Sequence, residues 1–527
     1  MYPPRGYMQS LLNRWYVRDA LIIIVACIAT LLYLQRVDSG FPLDDSWIHQ
    51  VYGRNLAEFG EWAFIEGEPS AASTAPLYTA LLAVGYTFDL PYEAWTHLLG
   101  AFTLILAGLI SARLTERISP EKTWTPLASG LAIVSAWHLI WSAVSGMETM
   151  LFSMFTILLM WLAWRELDKR SDKQSHIMLR GFIFGIVSAL AMLTRPEGVM
   201  LAGIVGLLML IVRPQGNFRK TLMWGGASLI GFLLLISPYL LLNLDLTGGL
   251  LPATSDAKYA QHLVIIQQTT FFERLLIMTI PVLAGGQFLL VFGLIRFVVP
   301  HIKRIRINPQ SLFYLLPVIW IIAMICLYAV RLPAGYQHGR YVIPVIPAMI
   351  IVGVVGTTQF IMATNEDERD FAIGRLLSRV VAVSALGSFI YFGFILGPDV
   401  YEQDVDIINE EMVDVAHWIE ENIPEGELLA IHDIGAVGYF APRPILDIAG
   451  LINPEVVPII DNEEALWMLM QDYDARYLMA FPDQVPGDDI NDSRICILYQ
   501  SNGRTSFNLG GGKMTVYRLT WNGECPS

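Results

Sequence analysis

The chain has 527 residues, of which 54% are hydrophobic and 16% are charged, against roughly 45–50% and about 25% in ordinary soluble proteins. This composition excludes a soluble globular enzyme, and a net charge of −14 excludes a general nucleic-acid-binding protein. Apolar runs of about 20 residues recur along the first 400 positions and match the ~30 Å hydrocarbon core of a bilayer. The sequence therefore predicts a polytopic α-helical membrane protein.

Eleven apolar segments are predicted to cross the membrane. The first, 20–34, follows Arg5, Arg14 and Arg18 and has no small-residue cleavage site after it, which predicts an uncleaved anchor with a cytoplasmic N-terminus. The other ten lie at 92–112, 124–141, 148–164, 179–194, 198–212, 222–242, 275–297, 312–330, 342–362 and 379–397. The apolar segment 76–88 has only 13 residues, so we expect it to be interfacial or re-entrant and to make one net crossing with the segment that follows it.

Loop charges set the predicted orientation, because cytoplasmic loops collect Lys and Arg. With eleven crossings, five basic loops fall on the side of the N-terminus: 113–122, 165–180, 213–220, 296–306 and 369–379. The loops on the other side of the membrane, and the part of the chain that follows the last crossing, are then extracytoplasmic. We therefore predict a multi-pass plasma-membrane protein with its C-terminus outside.

The composition changes after Gly397-Pro398. Residues 399–527 carry 24 acidic and six basic side chains, a net charge of −18, whereas the first 398 residues carry 24 and 28. We predict two domains: a transmembrane catalytic domain at 1–398, called the membrane body, whose first outer loop is 35–75, and an acidic extracytoplasmic domain at 399–527, called the tail.

The tail has the pattern of an α/β domain. Residues 412–421 have helical spacing, 428–432 and 445–448 are short apolar runs typical of buried strands, and 513–521 alternates like a strand.

The four cysteines are too few for a disulfide framework, and the sequence contains no Cys/His cluster that predicts zinc. Cys27 and Cys326 lie in apolar runs, where packing is expected. Cys496 and Cys525 could pair in an oxidising compartment, and the sequence leaves that pairing open.

The stretch 41–60 is the most informative part of the sequence. Its apolar residues recur at three- and four-residue spacing, which predicts an amphipathic helix in the membrane interface, with Asp44 and Asp45 in the first turn. Two interpretations stay open. An Asp at a helix start can accept backbone N–H bonds, or the paired carboxylates can bind a divalent cation or accept a proton from an acceptor hydroxyl.

Four groups of motifs are predicted on the outer face: Asp44-Asp45 with Gly67-Glu-Pro69 and Ser73-Thr-Ala-Pro-Leu77, then Ser145-Gly-Met-Glu-Thr149, Thr194-Arg-Pro-Glu-Gly198 and His338-Gly-Arg-Tyr341. Together they resemble the GT-C superfamily of polyprenyl-phosphate-sugar-dependent glycosyltransferases, most of all its arabinofuranosyltransferase-like and protein-mannosyltransferase-like branches. One departure concerns the donor. Lipid A aminoarabinose transferases of this superfamily carry Glu-Lys before Pro-Pro-Leu, whereas Ser73-Thr74-Ala75 stands at that place here.

The resemblance implies an inverting hexosyl- or pentosyltransferase that moves a sugar from a polyprenyl phosphate to an extracytoplasmic glycan, lipid or protein. Asp44, Asp45 and Glu148 are the candidate catalytic residues, and Asp44 is also the candidate ligand of Mg²⁺ or Mn²⁺. The anionic donor phosphate requires fixed cations and hydrogen-bond donors. The candidates are Arg340, His338, Arg195, Arg331 and Lys258.

Structural explanations compete at several of these positions. Arg195 and Arg331 could extend toward the headgroups from helix ends, Glu148 could stabilise a helix start, and Glu197 could simply pair with Arg195. We expect a structural role for His432-Asp433, because the tail is predicted to lie far from a lipid substrate.

The sequence also leaves two other functional classes to consider. A transporter or a flippase of lipid-linked glycans also needs many crossings and intramembrane charge. The absence of a sequence repeat between halves, the acidic motif in a loop and the appended outer domain argue against it. A sensor would need a cytoplasmic output region, which the sequence does not show.

Overall fold

The computed structural model describes residues 15–70, 73–120, 124–167, 173–214, 216–250, 254–366, 372–521 and Cys525. Arg5 and Arg14, which support the predicted cytoplasmic N-terminus, lie outside the described residues. The same holds for parts of four predicted basic loops: 113–122, 165–180, 213–220 and 369–379.

The membrane body is helical. Its helices are α1 (Trp15–Leu34), α2 (Asp44–Glu58), α3 (Pro76–Thr87), α4 (Tyr92–Ile118), α5 (Thr125–Val134), α6 (Trp137–Val144), α7 (Thr149–Arg165), α8 (Gln174–Thr194), α9 (Gly198–Val212), α10 (Phe218–Thr247), α11 (Thr254–Gln261), α12 (Leu263–Gln268), α13 (Phe271–Leu283), α14 (Val291–Arg304), α15 (Ser311–Tyr314), α16 (Leu316–Arg331), α17 (Ile346–Glu366) and α18 (Ala372–Tyr391). A two-stranded hairpin, β1 (Ala63–Ile65) and β2 (Glu68–Pro69), lies in the first loop.

Several helices have the length and apolarity to cross a bilayer. Within the described ranges, seven helical segments do so, or eight if α5 and α6 count as one bent span, and three shorter apolar helices, α7, α9 and α16, accompany them. The central helix is α17, whose most apolar window is completely buried, whereas α10 leaves Leu234 and Leu241 64% and 65% exposed. Apolar side chains on an outer helix are suited to lipid contact. The chain is a multi-pass membrane protein.

Glycines allow close helix contacts in this body. A side-chain carbon on Gly356 of α17 would collide with the backbone of Gly293 on α14, and one on Gly293 would collide with α17 in turn. Small residues at membrane helix contacts let two backbones approach in this way.

Two predicted crossings are interrupted in the structure. The segment 124–141 is divided into α5 and α6, which bend by 51°. The segment 275–297 is divided between α13 and α14, because Gly285 has φ +105° and a 3₁₀ turn, Gly286–Leu290, follows it. In this region, the helical segment long enough to cross the membrane is Gly286–Arg304. Hydropathy alone does not show such breaks, because the residues around Gly285 are as apolar as a continuous span.

The short segment 76–88 forms α3, a helix of 12 residues. At 1.5 Å per residue this is about 18 Å, which is too short to span a bilayer. It packs against α2, where Gly53 meets Leu82. Helix α2 was expected to lie on the membrane surface, but it is buried over most of its length, Ser46–Gly53 included. Its outer face is covered by the tail.

The tail is joined to the membrane body by a continuous helix. After α18, a π-helical turn (Phe392–Leu396) leads into α19 (Gly397–Ile408), and a second π-helical turn (Asn409–Val413) leads into α20 (Asp414–Asn422). The whole segment Leu376–Asn422 is therefore 47 residues of uninterrupted helix. The change of composition at Gly397-Pro398 falls inside this helix.

The rest of the tail is an α/β domain, as predicted. Its elements are β3 (Leu429–Ile431), α21 (Gly435–Phe440), β4 (Ile445–Asp447), α22 (Glu463–Asp472), β5 (Tyr477–Ala480), β6 (Ile495–Gln500), α23 (Thr505–Asn508) and β7 (Thr515–Leu519). The sheet order is β4-β3-β5-β7-β6. Strand β3 is parallel to β4 and β5, and β7 is antiparallel to β5 and β6.

A disulfide joins Cys496 to Cys525 across a Cα–Cα distance of 5.7 Å, which settles the pairing that the sequence left open. Cys27 and Cys326 are not in disulfides.

The carboxyl ends of the parallel strands face the membrane body. The backbone N–H groups of Gly435 and Ala436, shortly after β3, donate to Asp44 of α2. The carbonyl oxygen of Ala449, shortly after β4, accepts from Gln261 of α11 at 3.3 Å. This edge of the sheet therefore contacts α2 and α11 of the membrane body.

Candidate active site

A cavity of about 430 Å³ lies where the tail meets the membrane body, within the range of ~300–1,000 Å³ usual for ligand sites. Its charged and polar lining comprises Asp45, His49, Thr74, Glu148, Arg195, Glu197, Lys258, Tyr259, Tyr328, Arg331, Arg340 and Tyr341. Six of the eight predicted site residues are among these: Asp45, Glu148, Arg195, Lys258, Arg331 and Arg340. Four motif groups that are far apart in the sequence thus converge on one cavity.

Arg340, which is buried, and Asp45, which is partly exposed, form an ion pair that lines this cavity. The Nη2 of Arg340 lies 2.5 Å from Oδ2 of Asp45 and donates to the hydroxyl of Tyr341 at 3.0 Å. Arg340 is only 4% exposed, yet its Nε and Nη1 have no hydrogen-bond partner within the described part of the chain. Lys258 adds a second cation, with Nζ 4.0 Å from Oδ1 of Asp45.

The charge around Asp45 keeps it ionised. Burial by itself would raise the pKa of this carboxyl, but Arg340, Lys258 and His49 outweigh burial and hold the pKa well below its usual range.

A second polar network lies beside this ion pair, with Arg195 and Arg340 both next to the ring of Tyr341. Glu148 lies between His49, whose Nε2 is 3.3 Å away, and Arg195, whose Nε is 3.6 Å away. Arg195 is also 3.7 Å from Glu197, and Tyr328 donates to Glu197. Arg195 is therefore buried in an ion-pair network and does not extend toward the headgroups. The expected pairing of Glu197 with Arg195 is present.

The two networks are connected through the backbone. Nη1 of Arg195 donates to the carbonyl oxygen of Arg340 at 3.4 Å. The position of one arginine thus depends on the other.

Asp44 lies outside the lining of the cavity. Its two carboxylate oxygens accept the backbone N–H groups of Gly435 at 2.7 Å and Ala436 at 2.8 Å, at the start of α21. Asp44 is thus a capping residue for a helix in the tail, 391 residues away. The pKa of Asp44 is raised to about 7, first by burial and then by nearby Asp433, while the two backbone hydrogen bonds oppose the rise.

His338 also lies outside the lining. Its Nε2 is 2.7 Å from Oδ2 of Asp404 on α19, and its ring contacts Trp137 and Trp141 with centroid distances of 5.1 and 5.2 Å. It is one residue away from Gly339 and two from Arg340, yet its side chain is directed to the tail helix.

The sequence did not point to several residues of the site. Tyr328 bridges Arg195 and Glu197, the hydroxyl of Tyr341 accepts from Arg340, and Leu451 of the tail lines the cavity. Tyr341 was within a motif that had been noted, so its hydroxyl could have been considered. Leu451 carries no local signal, because only the packing of the tail brings it to the cavity.

His432-Asp433 is nearer to the site than the sequence suggested. Asp433 interacts electrostatically with Asp44 and Asp45, and its Oδ2 accepts from Gln484 at 2.8 Å.

The donor sets do not fit the suggested cation. Within the described ranges there is no group of three or more His, Cys, Asp or Glu side chains that could hold a metal ion. Asp44 is committed to two backbone N–H groups, and Asp45 is paired with Arg340.

Comparison with known proteins gives one domain match. A family model described as a domain of unknown function, DUF8728, matches residues 399–517. No curated protein matches the chain.

Solved structures with the same fold cover nearly the whole chain. ArnT from Cupriavidus metallidurans bound to undecaprenyl phosphate has 15% identity and a TM-score of 0.59, with 96% of this chain and 99% of that chain covered. The oligosaccharyltransferase AglB from Archaeoglobus fulgidus, in complex with an inhibitory peptide and a dolichol-phosphate, has 13% identity and a TM-score of 0.58, with 96% and 75% covered. The mycobacterial arabinofuranosyltransferase AftD, as the mutant R1389S, has 13% identity and a TM-score of 0.52, with 95% and 42% covered. All three are GT-C glycosyltransferases, and this chain has the GT-C fold.

Proposed function

We propose that the protein is a membrane glycosyltransferase that transfers a sugar from a polyprenyl phosphate to an acceptor hydroxyl, and that Arg340 binds the donor phosphate. The observation that carries this proposal is the guanidinium of Arg340, which lines the cavity together with Lys258 and is held there by Asp45 and Tyr341. A charged donor beside a ligand cavity gains a charge-assisted hydrogen bond when an anion enters that cavity.

The charges of the lining support an anionic ligand. Four cationic side chains, Arg195, Lys258, Arg331 and Arg340, stand against three carboxylates, Asp45, Glu148 and Glu197. An arginine fork matches phosphate oxygens in two parallel hydrogen bonds, and Lys258 supplies a point charge beside it.

The apolar part of the lining supports a lipid donor. Met147, Met192, Val199, Met200 and Leu327 share the cavity with the arginines. An isoprenoid phosphate combines an anionic head with a hydrocarbon tail, so both kinds of wall would be used. Undecaprenyl phosphate and dolichol-phosphate are bound in the ArnT and AglB structures.

Asp45 is the carboxylate placed to accept the proton of the acceptor hydroxyl. The acceptor oxygen would attack the anomeric carbon, the bond from that carbon to the phosphate oxygen would break, and the polyprenyl phosphate would leave with the electron pair. The proton would pass to Asp45, and the anomeric configuration would invert.

Donor binding would also activate this base. Without a ligand, Arg340 and Lys258 lower the pKa of Asp45 and make it a weak base. A phosphate that engages the same two cations would raise the pKa of Asp45 toward the range where general bases work. Asp45 would therefore be most basic when the donor is in place. We assign Glu148 to positioning, because it holds His49 and Arg195 against the wall.

We place the cavity and the tail on the extracytoplasmic side of the plasma membrane. The basic loops of the sequence support this orientation. The Cys496–Cys525 disulfide supports it independently, since disulfides persist in oxidising compartments.

The test is a cell-free transfer assay with the purified full-length protein. Undecaprenyl-phosphate sugars, both hexosyl and pentosyl, would be offered with lipid, glycan and peptide acceptors from a cell envelope. We expect one donor to give a glycosylated product and free undecaprenyl phosphate, with Asp45→Asn as the inactive control. Absence of both transfer and undecaprenyl phosphate binding across the panel would overturn the proposal.

A further inference from the structure

We propose that Asp404, in the helix that begins the tail, is a positioning residue for Arg340. The proposal rests on the proposed function, because it concerns the binding of the donor phosphate. It assigns to the tail a part in holding the turn that carries the phosphate-binding arginine.

The turn before Arg340 is strained. Gln337, His338 and Gly339 have φ values of +51°, +56° and +69°, all in the left-handed region. This conformation costs roughly 1–2 kcal/mol for each residue that is not glycine. Gly339 itself cannot be replaced easily, since a side-chain carbon there would collide with Pro281. Three successive left-handed residues require contacts from outside the turn to persist.

Asp404 supplies the charged contact. Its Oδ2 lies 2.7 Å from Nε2 of His338 and accepts the indole N–H of Trp141 at 2.9 Å. The imidazole of His338 also meets the rings of Trp137 and Trp141. One carboxylate oxygen therefore fixes both the turn and the tryptophan beside it.

The helix that carries Asp404 is itself fixed. One turn earlier, the hydroxyl of Tyr401 donates to the carbonyl oxygen of Val144 at 3.0 Å, and Tyr401 is completely buried. Asp404 thus presents its carboxylate from a helix anchored against α6, and the position of the turn follows from that anchor.

The neighbouring acids of the same helix have other surroundings. Asp399 and Glu402 pair with Arg36, and Asp406 is exposed. Asp406→Ala is therefore a matched control for the removal of an acid from α19.

The experiment measures the dissociation constant of undecaprenyl phosphate in detergent micelles for the full-length protein, together with its melting temperature. The variants are Asp404→Ala, Asp404→Asn, His338→Ala, the double variant of Asp404→Ala with His338→Ala, and Arg340→Ala. We expect Asp404→Ala to weaken binding about 5- to 30-fold, which corresponds to about 1–2 kcal/mol. Asp404→Asn should retain part of the affinity, because its amide oxygen can still accept one hydrogen bond.

The double variant distinguishes positioning from general destabilisation. If Asp404 acts through His338, the affinity of the double variant equals that of whichever single variant binds less tightly, since both changes break the same link. If Asp404→Ala does not fold, the Asp404→Asn and His338→Ala variants answer the same question.

The outcomes separate the two proposals. If the parent protein does not bind undecaprenyl phosphate, or Arg340→Ala binds it equally well, the proposed phosphate site is wrong. If Arg340→Ala loses affinity while Asp404→Ala and His338→Ala keep it, only the positioning role is wrong. Equal weakening by Asp406→Ala, or additive losses in the double variant, would also overturn that role.

Discussion

The cavity wall around Asp45 and the tail edge around Asp44 differ in chemistry although they meet at adjacent residues. Asp45 faces two cations, Arg340 and Lys258. Asp44 faces two backbone N–H groups and the carboxylate of Asp433. Successive residues of a helix point about 100° apart. A pair that is a unit in the sequence is therefore divided between a ligand cavity and a contact between domains.

This difference separates two roles that the sequence could not rank. The pKa of Asp45 is held below its usual range, whereas that of Asp44 is raised to about 7. Only Asp45 lines the cavity. We therefore expect chemistry at Asp45 and docking of the tail at Asp44, and variants at the two positions can test this division.

The largest effect is expected for Asp45→Asn. The change keeps the shape of the side chain but removes the proton acceptor, and loss of such a group typically costs ~10²–10⁴-fold in turnover. The comparison is Asp44→Asn, for which we expect less than about a tenfold loss because its carboxylate does not face the cavity. Turnover of the purified variants with saturating donor measures both, and the reverse order of effects would refute the division.

Arg340→Ala is expected to act next most strongly, through donor affinity. A charge-assisted contact to phosphate contributes about 1.5–3 kcal/mol, which corresponds to a roughly 10- to 100-fold increase in the donor KM. Arg340→Lys should recover only part of this, because the planar fork is lost. Arg476→Ala, an arginine of the tail that is 57% exposed, is the control. Unchanged donor kinetics in Arg340→Ala would mean that the phosphate is held elsewhere, with Arg195 and Lys258 the next positions to examine.

A smaller effect is expected from the tail's own side chain in the cavity. Leu451→Ala removes apolar surface beside the ligand, and we expect about a 3- to 10-fold increase in the KM of donor or acceptor, equivalent to roughly 0.7–1.4 kcal/mol. Leu498→Ala, on the exposed β6 strand, is the matched control. Equal kinetics for both variants would show that the tail covers the cavity without contacting its ligand.

The parts of this architecture that sequence could predict depend on local patterns. Helical apolar runs and the short strands of the tail are determined by neighbours within about ten residues, so periodicity finds them. The arginine and carboxylate motifs at helix ends could be assigned to one face from loop charges. The cavity then gathers six of the eight predicted site residues.

The remaining parts depend on contacts that leave no local trace. The bonds from Asp44 to Gly435 and from His338 to Asp404 join residues 391 and 66 positions apart. An Asp that caps a distant helix has the same sequence context as an Asp that caps its own. The continuous helix through Pro398 could not be predicted from the sequence either, because a proline after a glycine is typical of a domain boundary.

The smallest effect concerns the pH dependence of tail docking. The pKa of Asp44 is raised to about 7 in the folded protein, from 3.8 for an ordinary Asp. Between these values the folded state binds more protons than the unfolded state, so this group stabilises the fold below pH 4 and that contribution is lost as pH rises through 7. The melting temperature of the wild type should therefore fall between pH 5 and 8 relative to that of Asp44→Asn, because the asparagine side chain does not titrate. We expect a relative shift of about 2–4 °C.

Two comparisons make this last measurement specific to Asp44. Asp399→Asn removes an exposed carboxylate that is paired with Arg36, so its melting curve corrects for the general effect of charge on an acidic protein. Asp433→Asn removes the carboxylate that raises the pKa of Asp44, and it should reduce the pH dependence without abolishing it. Parallel pH profiles for wild type and Asp44→Asn would show that Asp44 does not titrate near neutrality. The contact between α2 and α21 would then join the membrane body to the tail with a strength that is independent of pH in this range.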